Sequence, residues 1–89
     1  MRRRLNISPR FRKKLKQFLE GHADLERRVE YALQLLQNNP FTASLATHRL
    51  HGALANFYAC RITYHYRLAF SFDEEYIYPN SIGSHDEVY

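Results

Sequence analysis

The first half of the chain carries two apolar stripes with the spacing of a helix. The first stripe recurs at i, i+4, i+7 and i+8 and consists of Phe11, Leu15, Phe18 and Leu19. Ser8 is suited to cap this helix, and Pro9 fits its first position, where a missing N–H costs nothing. Gly21 is predicted to cap the C-terminus. The pattern therefore predicts an amphipathic helix that starts after Ser8.

A second helix is predicted directly afterwards. Its apolar face consists of Leu25, Val29, Leu33 and Leu36. The sequence Asn38-Asn39-Pro40 ends it, because proline cannot continue a helix. Two amphipathic helices joined by about three residues predict an antiparallel helical hairpin. A short strand over residues 3–7 is expected before them.

From residue 57 the apolar positions alternate with a period of two. The even positions from 58 to 72 are all apolar or aromatic, whereas the odd positions include Arg61, Thr63 and Arg67. This alternation is typical of a half-buried antiparallel sheet. A turn is expected near residues 63–66, and the unchanged parity across it predicts a three-residue loop with a bulge.

The last predicted strand covers residues 76–82, after a turn at 73–75. Pro79 cannot donate a ladder hydrogen bond and is expected at an edge or a bulge. Residues 41–53 lack a period and are predicted to be a loop. The predicted fold is α+β, with the helical hairpin packed on a twisted, mainly antiparallel sheet of about four strands. Residues 1–89 are expected to form a single domain.

The composition is that of a folded protein without a membrane segment. Of its 89 residues, 45% are hydrophobic, and seven tyrosines and six phenylalanines argue against disorder. A single cysteine, Cys60, excludes an internal disulfide and falls on the predicted core face. Neither a signal peptide nor an apolar stretch of about 18 residues is present. A cytoplasmic protein is therefore expected.

The charge of the chain narrows the choice of partners. Thirteen Lys and Arg against nine Asp and Glu give a net charge of +4 and a pI of about 9.5. A small basic domain attracts phosphate backbones or an acidic protein. The net charge alone does not choose between these two classes of partner.

The polar face of the predicted sheet offers a specific chemistry. If the helices cover the apolar face, Arg61, Thr63 and Arg67 remain open to solvent, and guanidinium groups suit bidentate phosphate contacts. A histidine-bearing loop leads into this sheet, and residues 83–89 leave it. Arginines with histidines and a tyrosine are groups that metal-free RNA cleavage can use. One group deprotonates the 2′-hydroxyl, cations stabilise the phosphorane, and another group protonates the leaving oxygen.

Three segments in order, "HRLHG", "RITYHYRLAF" and "IGSHDEVY", resemble the C-terminal half of toxins of the RelE/ParE superfamily. The order of predicted helices and strands extends this resemblance over nearly the whole chain. The resemblance implies a toxin of a bacterial type II toxin–antitoxin module. It further implies a RelE- or YafQ-like endoribonuclease that cleaves mRNA on the ribosome by attack of the 2′-hydroxyl, without metal or other cofactor. The implied protein partner is a cognate antitoxin, acidic and partly disordered.

The resemblance also assigns roles to individual residues. By position, Arg61 and Arg67 match residues that stabilise the scissile phosphate, and His85 matches a general acid or base. His48 and Tyr89 are expected to assist catalysis. Further RNA contacts are expected from Arg49, His51 and His65.

Other interpretations remain open at this point. The superfamily includes ParE-like proteins that inhibit DNA gyrase without enzymatic activity, and a catalytically silent member would only bind antitoxin. A zinc site at His48 and His51 is weakly supported, so no metal is expected. Tyr64 falls at core parity and is not predicted to stack on bases. The start "MRRR" is interpreted as a flexible basic end that contacts ribosomal RNA phosphates.

Overall fold

A computed structural model describes residues 2–89, so that Met1 of the basic start lies outside the described residues. Its sheet has five strands: β1 (Arg4–Leu5), β2 (His48–Arg49), β3 (Tyr58–Arg61), β4 (Tyr66–Phe72) and β5 (Tyr76–Ser84). The spatial order is β1-β5-β4-β3-β2, with β1 parallel to β5 and the other pairs antiparallel. The helices are α1 (Pro9–Gly21), α2 (Glu26–Asn38) and α3 (His85–Val88). The predicted α+β class is confirmed, with five strands rather than about four.

The start of α1 follows the prediction, but its end does not. Ser8 caps the helix, since its Oγ accepts a hydrogen bond of 3.0 Å from the Phe11 N–H, and Pro9 is the first helical residue. Gly21, predicted as the C-terminal cap, is instead the last helical residue. His22 occupies the cap position with a φ of −142°. A histidine with a negative φ therefore ends this helix, and no left-handed glycine is required.

One large core lies between the helical hairpin and the sheet. A 3-10 turn at Ala23–Leu25 joins α1 to α2. The buried members of this core are Phe11, Phe18, Val29, Ala32, Leu33, Leu36, Leu45, Cys60, Ile62, Leu68, Phe70 and Ile77. Burial raises the pKa of the Cys60 thiol to about 12, because a thiolate would lose its hydration there. Cys60 is thus a core residue, as its parity predicted.

Residues 62–65 connect β3 to β4, and a hydrogen bond between Ile62 and Tyr66 closes a loop of three residues, 63–65. The Tyr66 carbonyl accepts hydrogen bonds from the N–H groups of Ile62 and Thr63, and Arg61 lies opposite Arg67. The unchanged parity therefore predicted the loop length correctly. Tyr64 is 79% exposed, however, and its assignment to the core face is wrong. Alternation determines the direction of paired residues only, and Tyr64 lies in the unpaired turn.

Pro79 lies beside a bulge in an interior strand. Ala69 pairs with Ser81, whereas Phe70 pairs with Pro79, so that Asn80 is the extra residue. On its other side β5 is paired with β1 only at Tyr76 and Ile77. The missing N–H of Pro79 therefore interrupts no ladder, and the predicted bulge is confirmed.

Two elements were absent from the predicted fold. β2 lies within residues 41–53, which were predicted to be a loop. α3 follows β5 without a linker, and its first turn has a capping box. Ser84 Oγ accepts from the Glu87 N–H at 3.3 Å, and Glu87 Oε1 accepts from the Ser84 N–H at 2.9 Å. The sequence signal was present as Ser-x-x-Glu.

The opposite face of the sheet is not open to solvent along its whole length. α3 and the segment after β2 fold over its centre. There a second, smaller cluster of buried residues consists of Leu50, Ala59, Ala69 and Val88. The prediction of an open polar face is therefore wrong for the centre of the sheet. Arg61, at the end of β3, remains exposed.

The basic start of the chain is anchored at Arg3. The Arg3 N–H donates to the Gln37 carbonyl at 2.9 Å, and Arg3 Nε donates to the Asp73 carbonyl at 2.6 Å. Its guanidinium also lies 5.0 Å from the centroid of the Phe72 ring. The expectation of a flexible end thus fails at Arg3. Among the described residues, no helix combines the length and the apolar composition needed to cross a membrane.

Candidate functional site

The strand register brings distant residues onto one face of the sheet. Arg61, Arg67 and Gly83 lie opposite one another across β3, β4 and β5. The neighbouring row on the same face consists of His48, Ala59, Ala69 and Ser81. Since residues directly opposite in a sheet share a face, both arginines and His48 lie on the face over which α3 folds.

Gly83 packs closely against the first turn of α3, which lies on this face. A Cβ at Gly83 would lie 3.1 Å from both the Cβ and the Oε1 of Glu87. That separation is tighter than ordinary van der Waals contact, so Glu87 would have to move slightly to admit a side chain at this position. The glycine and the capping box together fix the position of the residues that follow.

Three ring side chains, one from the middle of the sequence and two from its last residues, form a continuous cluster. A hydrogen bond of 2.6 Å joins Tyr89 Oη to His48 Nε2, and the ring centroids lie 5.3 Å apart. The His85 ring lies 4.0 Å from the Tyr89 ring, centroid to centroid. His48 Nδ1 also approaches the Ala46 carbonyl at 3.4 Å. His85, Tyr89 and His48 are all exposed, so protons can exchange between these groups and a bound molecule.

His85 has an acidic neighbour on its other side. The Oδ1 atom of Asp86 lies 3.5 Å from His85 Nδ1. Both side chains are exposed, so water screens the attraction between them and the contact adds little to the stability of the fold.

Arg67 is half-buried and held against its own turn. Its Nη1 donates to the carbonyls of Thr63, Tyr64 and Tyr66 at 2.7, 3.0 and 3.1 Å. Within residues 2–89, Nε and Nη2 of Arg67 have no protein acceptor. The side chain is therefore positioned in advance, and N–H groups remain available to an anion.

A cleft of about 530 Å³ connects Arg67 with the ring cluster. Its walls are formed by Tyr64, His65, Tyr66, Arg67, Ser84, His85 and Asp86. His85 belongs to both the cleft and the ring cluster. Four of these residues, Tyr64, Tyr66, Ser84 and Asp86, had not been predicted as site residues. The position of Tyr64 in an unpaired turn was the signal that could have identified it.

Other residues predicted for the site lie apart from it. Arg49 pairs with Tyr58, which packs against the large core, so Arg49 points away from the face of His48. Its Nε donates to the Ala55 carbonyl at 2.7 Å. His51 is exposed just before a 3-10 turn at Gly52–Leu54.

Arg61 and His22 have different surroundings. Arg61 lines a small groove with Tyr31 of α2, although the register places it in the row of Arg67. His22 stacks on Phe18 at 4.3 Å, and its Nδ1 and Nε2 lie 2.8 Å from the Phe18 carbonyl and 3.0 Å from Tyr66 Oη. Both ring nitrogens of His22 are thus used in structural contacts. The part of the chain that the structure describes contains no group of three or more His, Cys, Asp or Glu side chains suited to hold a metal ion.

Comparison with known proteins identifies the family. A family model described as "Bacterial toxin of type II toxin-antitoxin system, YafQ" matches residues 3–89. The fold is similar to that of YafQ from E. coli strain BL21(DE3), with a TM-score of 0.82, 20% identity and 98% of both chains covered. No curated protein matches the chain.

Two further solved structures share the fold. One is the E. coli DinJ-YafQ toxin–antitoxin complex, with a TM-score of 0.80, 20% identity, and 100% and 99% of the two chains covered. The other is the YoeB dimer from Staphylococcus aureus, with a TM-score of 0.77, 21% identity, and 96% and 99% covered. The predicted RelE/ParE resemblance is confirmed. Since the family model spans almost the whole sequence, the chain belongs to the YafQ family of bacterial toxins of type II toxin–antitoxin systems.

Proposed function

We propose that this toxin is a ribosome-dependent mRNA endoribonuclease, and that residues 1–89 act as one toxin domain in the cytoplasm. The observation that carries the proposal is the contact chain from His85 through Tyr89 to His48, next to the positioned guanidinium of Arg67. Two proton-transferring groups and a cation beside one cleft are what phosphodiester cleavage without a metal requires.

The reaction begins with the 2′-hydroxyl of the nucleotide before the scissile bond. A base removes its proton, and the oxygen attacks phosphorus. The bond from phosphorus to the 5′ oxygen then breaks, an acid protonates that oxygen, and a 2′,3′-cyclic phosphate and a 5′-hydroxyl are formed. His85 is one of the two proton-transferring groups, and His48 with Tyr89 is the other. The hydrogen bond of 2.6 Å couples His48 to Tyr89, so either member can pass the proton.

Charge accumulates on the phosphate as the phosphorane forms. The N–H groups of Arg67 that have no protein acceptor within residues 2–89 are suited to stabilise that charge. Because carbonyls of the turn already hold Nη1, little reorganisation is needed in the transition state. Arg61, in the same row of the sheet, contributes a second cation to the RNA strand. Arg49 is assigned a backbone contact outside the cleft.

The turn between β3 and β4 supplies the contacts to a base. Tyr64 is 79% exposed at the rim of the cleft, and its ring lies 5.1 Å from that of His65 in an edge-to-face arrangement. An exposed aromatic ring beside a phosphate-binding arginine is suited to stack on an unpaired base. Tyr64 is therefore added to the site, with His65 beside it. His51 is left out, because it lies apart from both the cleft and the ring cluster.

The protein partner is a cognate antitoxin. Two solved structures of similar fold support this proposal, the DinJ-YafQ toxin–antitoxin complex of E. coli and the YoeB-YefM complex from Staphylococcus aureus. This chain has a net charge of +4, which suits an acidic segment that folds on binding.

The test is a cleavage assay with purified toxin, ribosomes and an end-labelled mRNA. We expect ribosome-dependent cuts that fall about 10²–10⁴-fold in His85→Ala, the usual contribution of general acid–base catalysis. His51→Ala is the matched control, since it removes an exposed histidine outside the site. Equal activity of wild type and His85→Ala would overturn the assignment of His85.

A DNA gyrase supercoiling assay on the same preparations distinguishes an mRNA endoribonuclease from a ParE-like gyrase inhibitor. Intact mRNA together with blocked supercoiling would make the protein a gyrase inhibitor, and the catalytic assignment would be lost. If both assays are negative while antitoxin still binds, the protein is a catalytically silent toxin.

A further inference from the structure

His22 connects the end of α1 with the wall of the cleft. It directly follows Gly21, the last residue of α1, and its ring is half-buried. Its Nδ1 lies 2.8 Å from the Phe18 carbonyl oxygen, and its Nε2 lies 3.0 Å from Tyr66 Oη. Tyr66 is 44 residues further along the chain and lines the cleft beside Arg67. One side chain therefore joins the helical hairpin to the strand that carries the phosphate-binding arginine.

The two contacts of His22 determine which of its ring nitrogens carries the hydrogen. A carbonyl oxygen can only accept, so Nδ1 donates to Phe18. In the neutral imidazole Nε2 is then an acceptor, and the Tyr66 hydroxyl donates to it. The first contact satisfies one of the last four carbonyls of α1, which is a capping role. The second contact takes no part in capping, so the end of the helix does not account for it.

Ring packing restricts the Tyr66 side chain further. Its ring meets the ring of Phe18 edge-on at 5.2 Å and the ring of His22 at 4.8 Å, centroid to centroid. His22 in turn stacks on Phe18 at 4.3 Å, and Phe18 belongs to the buried core. We call Phe18, His22 and Tyr66 the anchor. Through the anchor, the core under the helices fixes the position of Tyr66.

The main chain of Tyr66 holds the residues that face the cleft. Its carbonyl accepts from the N–H groups of Ile62 and Thr63 at 3.0 and 3.3 Å, which closes the loop. The same carbonyl accepts from Arg67 Nη1 at 3.1 Å. A displacement of Tyr66 would therefore move the loop and one of the three acceptors that hold the guanidinium.

We propose that His22 is a positioning residue for the cleft. By holding the Tyr66 hydroxyl, it keeps the Tyr66 carbonyl and the Arg67 guanidinium where the scissile phosphate is bound. His22 itself lies outside the walls of the cleft, on a groove that it shares with Glu87, so it does not touch the substrate. The inference rests on the proposed function for the reaction that Arg67 serves.

The expected size of the effect follows from the remaining contacts of Arg67. A misplacement of about 1 Å in a catalytic group can slow a reaction by about 10²-fold. The carbonyls of Thr63 and Tyr64 still hold Arg67 Nη1 when Tyr66 shifts. We therefore expect a smaller loss, of about tenfold.

Three substitutions separate the two contacts of His22. The amide nitrogen of asparagine can take the place of Nδ1, so His22→Asn can still donate to the Phe18 carbonyl but does not reach Tyr66. Glutamine is longer and brings its amide oxygen near the position of Nε2. His22→Gln can therefore accept from the Tyr66 hydroxyl but does not cap α1. Tyr66→Phe removes the hydroxyl and keeps the ring.

Cleavage is measured in the ribosome assay at a temperature where circular dichroism shows every variant to be folded. We expect kcat to fall about tenfold in His22→Asn and in Tyr66→Phe, with KM for mRNA within about twofold, because Arg67 acts on charge that develops in the transition state. His22→Gln should retain most of kcat while its urea midpoint falls through the loss of the cap. The double variant His22→Asn/Tyr66→Phe should be no slower than either single variant, since both remove the same hydrogen bond.

A purely structural role for His22 predicts different results. Unchanged kcat in the folded Tyr66→Phe variant would overturn the proposal, because the hydroxyl would then position nothing. Multiplied losses in the double variant would also overturn it, since the two side chains would act separately. A rise in KM without a change in kcat would overturn the link to Arg67.

A measurement without cleavage distinguishes a failure of this proposal from a failure of the proposed function. In isotope-labelled toxin, nuclear magnetic resonance reports how fast the Arg67 guanidinium rotates about its Cζ–Nη bonds. We expect slow rotation in wild type and faster rotation in His22→Asn. If wild type does not cut mRNA but this difference is seen, the proposed cleavage fails and the positioning role stands. If wild type cuts mRNA and His22→Asn changes neither the rotation nor kcat, the positioning role fails and the cleavage stands.

Discussion

The two faces of the sheet differ in how much they bury and in what they carry. The face under α1 and α2 buries a cluster of twelve residues, among them Phe11, Leu36 and Phe70. The face under α3 buries four, two of which are alanines. Histidines, arginines and tyrosines surround the smaller cluster. One face therefore supplies most of the hydrophobic free energy of folding, and the other holds the candidate site in place with little apolar area.

The largest expected effect on stability belongs to the helix-covered face. Phe70→Ala removes a fully buried ring and should lower the free energy of unfolding by about 3–5 kcal/mol. Domains of this kind are stable by about 5–15 kcal/mol in all, so the variant should be close to unfolding. Urea titration followed by circular dichroism measures the change. A loss below 1 kcal/mol would contradict the assignment of this face as the main source of stability.

Tyr64→Ala should have its effect on the site and not on the fold. Stacking of a base on an aromatic ring contributes about 1–3 kcal/mol, so KM for mRNA on the ribosome should rise by about tenfold or more. The urea midpoint should be unchanged, because the side chain is 79% exposed. Tyr64→Phe keeps the ring and should behave as wild type. A loss of activity in Tyr64→Phe would point to the hydroxyl instead of stacking.

Val88→Ala tests how the smaller cluster supports the site. The missing methyl groups should cost about 1–2 kcal/mol at the usual value per buried methylene. Cleavage should decrease even when the variant is fully folded, because Val88 holds the helix that carries His85. Cleavage is measured at a temperature where the variant is fully folded. Unchanged cleavage at that temperature would show that α3 keeps its position without Val88.

The smallest expected effect is a local response of α3 to acid. Hydrogen bonds from the Ser84 N–H and the Ser84 side chain lower the pKa of Glu87 below its ordinary value of 4.5. A carboxylate with a lowered folded-state pKa stabilises the structure above about 4.5, and this contribution is lost as the pH falls through the folded-state value. We therefore expect the Ser84 amide to lose protection from hydrogen exchange at acidic pH. The Leu68 amide, on the larger core, should remain protected.

Glu87→Gln is the control for this acid response. It keeps an oxygen that can accept from the Ser84 N–H but cannot titrate, so the pH dependence should disappear. Asp73 also has a lowered pKa, because of hydrogen bonds from Tyr78 and from the backbone of Tyr76 and Glu75. It lies in the turn between β4 and β5, away from α3. Hydrogen exchange of a single amide at the start of α3 therefore has to be measured, because global acid unfolding would combine the contributions of Glu87 and Asp73.

Several features of the fold could be predicted because they depend on local chemistry. The start of α1 follows from Ser8 and Pro9, and the end of α2 from Asn39 and Pro40. The bulge beside Pro79 follows from the missing N–H. The wrong predictions concern segments in which the sequence carries no local signal. β2 has only two residues, which is too short for a period, and its pairing with β3 arises from the tertiary fold.

The candidate site was predicted in part. Arg67, His85, His48 and Tyr89 were expected to act together, and the structure brings the last three into contact. Arg49 and His51 were expected to contact RNA together with them. They lie near His48 in a segment without periodicity, so the sequence did not indicate which of these side chains share a face. Pairing with Tyr58 turns Arg49 to the other face. Tyr64 was missed because the alternation of the strands was also applied to the turn at residues 63–65. No strand pairing fixes the direction of side chains there.

The sequence by itself determined the class of fold, the start of α1, the end of α2, the length of the loop at residues 63–65 and the residue types available for chemistry. These follow from dihedral preferences, missing N–H groups and periodicity, which act over a few residues. Only the tertiary structure decided that α3 folds back and joins His85 and Tyr89 to His48. That contact spans 41 residues between Tyr89 and His48. It exists because the capping box of Ser84 and Glu87 starts α3 directly after β5 and because Val88 buries its side chain in one cluster with Ala59 and Ala69.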